Sequence, residues 1–174
     1  SSDLAKKLLT EAGYPDGFEI ELVCPNNRYI NDEAICVATV GMMAKVGIKV
    51  KLNSMPKSKW SPKVRQGKAD MWLLGWAAST TMDAHNVLLN LMNTWTGKRG
   101  VYNPKGYSNK RVDELTDLIG METDPKKRQE YINEAFRIHK EEIGAIPVHS
   151  QTLVWGVKKG IKLAQPANNV FMLR

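Results

Sequence analysis

Between Trp76 and Asn86 the chain reads WAASTTMDAHN, a stretch that gathers an indole, hydroxyls, a carboxylate, an imidazole and a carboxamide within eleven residues. Trp76, Ser79, Thr80, Asp83, His85 and Asn86, with Ala77 as a small neighbour, are side chains suited to holding a solute by hydrogen bonds and aromatic contact rather than to transforming it. A second polar stretch, Asn26, Asn27 and Arg28, offers two amides and a cation. Nucleophilic chemistry would need Cys24 beside His85, His139 or His149, because a thiolate needs a neighbouring imidazole. His139 falls on a helical stripe with Ile132, Ala135 and Ile143, where a core histidine is expected, and His149 sits inside an apolar run. No G-x-S-x-G, P-loop or H-E-x-x-H pattern supplies a second supporting residue, so the chain is read as a binder with no catalytic, metal or cofactor site.

The elements around these stretches explain their placement. The apolar run ending at Trp76 reads as a central strand, Ala69 to Trp76, buried on both faces, and ligands of open α/β sheets bind just beyond the carboxyl ends of such strands. Upstream, Asp3 is expected to cap a helix carrying Leu4, Ala5, Leu8, Leu9 and Ala12 on one face, with Gly13 at its end. Phe18, Ile20, Leu22 and Cys24 alternate with Glu19, Glu21 and Val23 as a strand with one buried face. Ile35, Ala38, Thr39, Met42, Met43 and Val46 form the stripe of a helix closed by Gly47, and Ile48, Val50 and Leu52 make the next strand. A short basic helix or turn, Ser58 to Gln66, precedes the third. This β-α-β-α-β order implies a parallel sheet flanked by helices, with Asn26–Arg28 and Trp76–Asn86 both at strand carboxyl ends. Helices are expected from Asp83 to Asn93, after a Ser108 cap, and from Pro125 to about Glu142 behind an Asp124 cap. A last strand is expected from Ile146 to Trp155.

Length fits one well-buried domain. The formal charge of +7 raises a nucleic-acid reading, but the basic clusters are short, interrupted by acids and unaccompanied by any nucleic-acid-binding motif. Cys24 and Cys36 lack the spacing of a zinc or redox pair; a disulfide between them and two buried thiols are both compatible with the residues. The amino terminus has no signal-peptide core, so the protein is expected to be cytosolic or already processed.

The runs AKKLLTEAGYPDGFEIEL, DMWLLGW and YSNKRVDELTDLIGMETDPKKRQEYINEAFRIHKEEIGAIPVH resemble the carboxyl-terminal lobe of the family 5 extracellular solute-binding proteins, the peptide-, glutathione- and nickel-type receptors of bacterial ABC importers. The resemblance implies a periplasmic-binding-protein-like α/β lobe over residues 1–156. It implies further that the tail, 157–174, crosses back to a missing amino-terminal lobe of the same protein. It implies a periplasmic or extracellular receptor, associated with the membrane through its ABC permease, that binds a small peptide-like solute in the inter-lobe cleft, with self-association of the isolated lobe as a corollary. In peptide-binding relatives the segment after the Gly-Trp pair runs like A-D-Y-x-D-P, and its first aspartate holds the peptide amino group. Gly75 and Trp76 match the pair; with one residue between the pair and that run, the aspartate's place falls on Ser79. Asp83 is displaced along the chain and reads as either a contact or a helix cap. Arg28 stands before a helix start that would attract an anion, although Asp32 and Glu33 already occupy that turn. The alternative reading is a small basic nucleic-acid-binding domain.

Overall fold

The computed structural model describes residues 1–77, 81–104, 106–152, 154 and 156–160. The chain forms two compact units, one of residues 1–75 with 101–106, the other of residues 76–100 with the segment from Tyr107 onward. The first unit holds α1 (Ser2–Glu11), β1 (Glu19–Pro25), α2 (Asp32–Ala44), β2 (Lys49–Met55), α3 (Lys57–Arg65) and β3 (Met71–Trp72). The second holds α4 (Ala84–Val87), continued by a π-helical turn Leu88–Met92, then α5 (Lys110–Met121) and α6 (Pro125–Glu141). No helix among the described residues is long and apolar enough to cross a membrane.

The sheet is parallel throughout, in the order β2-β1-β3. Among the described residues its centre is therefore β1, not the run ending at Trp76. Leu22, Val23 and Cys24 are 3%, 0% and 0% exposed, so both faces of β1 are closed in its carboxyl half, although Val23 was expected to point outward. Leu22 and Cys24 pack with Cys36, Val50, Leu52, Met71 and Leu73; Val23 packs on the other face with Trp60, Val64, Trp72 and Leu74. Glu19 and Glu21 conceal this in the sequence. Glu21 is accommodated because Lys63 lies 2.6 Å from one carboxylate oxygen and Asn53 donates to it at 2.8 Å. The run from Ala69 keeps only Met71 and Trp72 in the ladder, at the edge of the described sheet and half-buried.

Cys24 and Cys36 form a disulfide, which resolves the two alternatives and ties α2 to the central strand. The tie also sets which side of α2 faces inward. Ile35, Cys36, Thr39, Val40 and Met43 are buried or half-buried, whereas Ala38 and Met42, expected on the inner stripe, face out. Helix boundaries shift for local reasons. Ser1, not Asp3, caps α1, accepting from the Leu4 N–H, and Asn109, not Ser108, caps α5, accepting from the N–H groups of Arg111 and Val112. Asp124 and Pro125 open α6 as expected. Ile146 to Gln151 form no ladder and lie exposed; Trp155 and residues 161–174 are outside the described residues. A strand needs a neighbour to satisfy its backbone, and among the described residues none is offered there.

The core of the second unit is Leu88, Leu115, Ile119, Ile132 and Ala135, one stripe from each helix. His139 is buried on the inner face of α6, as its periodicity predicts, with the Tyr107 ring edge-on at 4.7 Å.

Two turn glycines separate conformational freedom from close approach. Gly13 and Gly17 have φ of 88° and 75°, in the left-handed region. A Cβ on Gly13 would meet nothing within 4 Å, whereas one on Gly17 would run into the backbone carbonyl of Gly47. We expect Gly13→Ala to cost about 1 kcal/mol. Gly17→Ala should cost about 1–3 kcal/mol more, because the obstruction is main chain and cannot rotate away. Urea unfolding of the two variants measures the difference; equal midpoints would contradict the Gly17–Gly47 approach.

Candidate functional site

The loop after β1 is built by backbone satisfaction. Asp32, at the first turn of α2, accepts from the N–H groups of Arg28 (2.9 Å) and Tyr29 (3.0 Å) on one carboxylate oxygen and from Glu33 (2.9 Å) on the other. Burial pushes its carboxyl up, but these backbone donors outweigh burial and hold it below the ordinary carboxylate range. Asn26 donates its N–H to the Met55 carbonyl, and the Asn27 side-chain oxygen accepts from the Lys57 N–H at the start of α3. Two of the three loop residues expected to face a solute thus also knit β1 to β2 and α3. Asn26, Asn27 and Arg28 are exposed, and the Arg28 guanidinium lies 5.2 Å from the centre of the Tyr29 ring. Tyr29, unmarked by any sequence signal, donates its hydroxyl to the Gly75 carbonyl at 3.1 Å. Its ring occupies the space a Cβ on Gly75 would need.

The second stretch opens the other unit. Trp76 is 37% exposed, and its indole N–H donates to the Asn86 side-chain oxygen at 2.9 Å. The ring is thereby anchored by its polar edge. Ala77 is exposed; Ser79 and Thr80 lie outside the described residues. Asp83, half-buried, caps α4 by accepting from the His85 N–H at 2.8 Å. Both its oxygens also lie 2.9 Å from one terminal nitrogen of Arg128. The Arg128 contact first, and the His85 N–H second, hold the Asp83 carboxyl below its usual range. Asp83 is thus the cap of α4. His85 places its ring against α5, within 3.2 Å of where a Cβ on Gly120 would stand. Within the second unit, then, Trp76, Asp83, His85 and Asn86 form one bonded cluster. Asn26, Asn27 and Arg28 belong to the first unit.

Arg128 and Tyr29 were not singled out in the sequence. Arg128 sits in a KKR triplet that reads as a solvated charge run, and Tyr29 is an ordinary loop residue. Among the described residues no group of three His, Cys, Asp or Glu side chains could hold a metal ion.

The loop after the parallel strand β1 is polar and tied down by Asp32 and Asn27, and the segment after β3 carries a tryptophan anchored by its indole N–H. Residues 2–99 match the family model of bacterial extracellular solute-binding proteins, family 5 (middle region), and the chain belongs to that family. The glutathione-binding protein GsiB of Salmonella choleraesuis (strain SC-B67) is 30% identical over 163 residues, which cover 90% of this chain and 31% of that protein. The chain therefore spans about a third of the length of this relative. The dipeptide-binding protein of Pseudoalteromonas sp. SM9913, solved with Met-Leu, superposes with a TM-score of 0.73 at 27% identity, covering 82% of this chain and 28% of that one. NikA of Staphylococcus aureus, solved with Ni(L-His)2, gives 0.70 at 17% identity over 83% of this chain and 30% of its own, a likeness of fold alone.

Because the folded pKa of Asp83 is lowered, the stability it contributes is fully present above the unfolded carboxylate range near about pH 4 and is lost as pH falls through the folded value. Asp83→Asn retains an acceptor for the cap and removes the charge. We expect the variant to be less stable than the parent above the unfolded carboxylate range, and the gap to close as pH falls through the lowered value of the folded Asp83. Denaturant unfolding across that range tests this; a gap independent of pH would count against the charged Asp83–Arg128 pair.

Proposed function

We propose that the chain is the carboxyl-terminal, ligand-binding lobe of a bacterial ABC importer's solute receptor, taking a peptide or related small solute. The observation that carries this reading is the family match, whose span of residues 2–99 includes both polar stretches, Asn26–Arg28 and Trp76–Asn86. Relatives named for glutathione and for dipeptide binding support a peptide-like solute. Residues 1–156 are read as the lobe and 157–174 as a tail returning to the missing amino-terminal lobe. Exposure of Ile146 (69%), Val148 (60%) and Val154 (83%) supports a segment meant to be covered by that lobe, and self-association when it is absent. The Cys24–Cys36 disulfide supports a periplasmic or extracellular home, where such bonds persist.

The mechanism follows from two-lobed closure. Solute binds first to one lobe's strand ends, the other lobe folds over it, and tighter binding to the closed form drives the change that a membrane permease would read. The contacts assigned to this lobe are Trp76, Ala77, Ser79, Thr80, Asp83, His85 and Asn86, with Asn26, Asn27 and Arg28. Ser79 stands where peptide-binding relatives carry an aspartate, and the one acid between Trp76 and Asn93, Asp83, is paired with Arg128. That combination disfavours reading a free α-amino group and favours hydroxyl and amide contacts to the solute.

Half a clamp binds weakly. Titrating the isotope-labelled chain with Met-Leu, glutathione and a short DNA duplex, we expect amide shifts in the Trp76–Asn86 and Asn26–Arg28 stretches with one of the two solutes, and affinity weaker than about micromolar. Submicromolar affinity would contradict the half-site, and shifts spread over the lysine clusters with DNA alone would replace the receptor reading by the basic-domain one.

A further inference from the structure

Three helices of the second unit meet at one guanidinium. Arg128, on α6, donates from Nε to the Ile119 carbonyl at 3.0 Å, in the last turn of α5. From Nη2 it donates to both oxygens of Asp83, the cap of α4. The carbonyl lies among the last four of its helix, which have no partner within the helix, so Arg128 closes one end of α5 while fixing the beginning of α4. Arg128 and Asp83 side chains are 27% and 35% exposed, sheltered enough to hold one geometry.

The start of α4 needs such an anchor. Its α-helical part is four residues long, and a helix that short does not persist by its own hydrogen bonds. The residue before the cap, Met82, is 70% exposed with φ of 50°, a conformation that branched and long side chains rarely adopt. Asp83 holds the turn in two ways: its carboxylate accepts from the His85 N–H, and its carbonyl accepts from the Asn86 N–H at 3.2 Å. Asn86 then accepts the Trp76 indole N–H at 2.9 Å. A displacement of Asp83 is passed directly to Asn86, and from Asn86 to the ring.

We infer that Arg128 is a positioning residue for Trp76: through Asp83 and Asn86 it sets the orientation of the exposed indole. Its role in solute selection rests on the reading of Trp76 as a contact. Lysine cannot replace it fully, because one ammonium cannot reproduce the fixed fork that reaches the α5 carbonyl and the Asp83 carboxylate together.

The test reads the indole without any solute. In the 15N-labelled chain, Asn86→Ala gives the position and solvent-exchange rate of the Trp76 indole N–H without the Asn86 acceptor. We expect Arg128→Gln to carry the Trp76 signal most of the way to that position and raise its exchange about fivefold, the equivalent of one hydrogen bond of about 1 kcal/mol. Arg128→Lys should move it part of the way, with the Trp60 indole of the first unit unmoved in both. An unchanged Trp76 signal in Arg128→Gln, with helical circular dichroism retained, overturns the inference, as does a shift of all the indoles together. If Arg128→Gln does not fold, Asp83→Asn decides: it keeps the cap and loses the ion pair, and a parent-like Trp76 signal there overturns the inference. Failure of the parent chain to respond to either solute, with the indole behaving as expected, would count against the receptor reading and leave the positioning role standing.

Discussion

The burial of β1 on both faces is the constraint on which the first unit depends. A strand of seven residues that places Leu22 and Cys24 on one side and Val23 on the other must be covered twice, by α2 and by α3. Each buried apolar side chain there contributes about 1.5–3 kcal/mol, so neither cover can be withdrawn without exposing the centre of the sheet. Covalent linkage of Cys24 to Cys36 adds to this by limiting how α2 can rotate, and Lys63 with Asn53 compensates the one carboxylate, Glu21, that enters the layer on the α3 side. The carboxyl end of β1 is thereby held in place, and the loop that follows inherits its position.

What converts that position into a defined surface is the distribution of backbone donors. At several junctions of loop and helix among the described residues a short polar side chain takes up free N–H groups: Asp32 for Arg28, Tyr29 and Glu33, Asn27 for Lys57, Asp83 for His85, Asn109 for Arg111 and Val112. The N-caps among these, Asp83 and Asn109, are worth about 1 kcal/mol each. Such residues look like ligand contacts in a linear reading, since caps and contacts draw on the same chemistry. The distinction lies in the partner, which only the folded chain supplies.

That is also why some of the molecule was legible in the residues and some was not. Local signals carried the helix starts at Asp124-Pro125 and Asp83, the left-handed Gly13, and the parallel β-α-β order, because capping, turn and periodicity are decided within a few residues. The centre of the sheet was misplaced because hydropathy favoured the run from Ala69 to Trp76 over β1, whose Glu21 is accommodated by partners 32 and 42 residues away. The inner face of α2 was misjudged for a similar reason. The helix is apolar nearly all round, so its orientation comes from the link to Cys24 and not from its own pattern. The segment after Ile146 has strand composition, but composition does not supply the neighbour that a ladder needs.

Asp83 shows how a charged residue can be committed to the fold, since it caps α4 and pairs with Arg128. A carboxylate that met a solute's ammonium would have to give up, or share, the guanidinium that already approaches both its oxygens, and would loosen the cap on α4 as it did so. Stripping one partner from a sheltered pair leaves the other charge poorly solvated, a loss that a mobile ligand group in water rarely offsets. A solute contact at Asp83 is therefore one that leaves the guanidinium in place. Trp76 shares the same arrangement: its indole N–H is held by Asn86, whose own N–H is held by the Asp83 carbonyl, and less conformational freedom is left to the exposed ring.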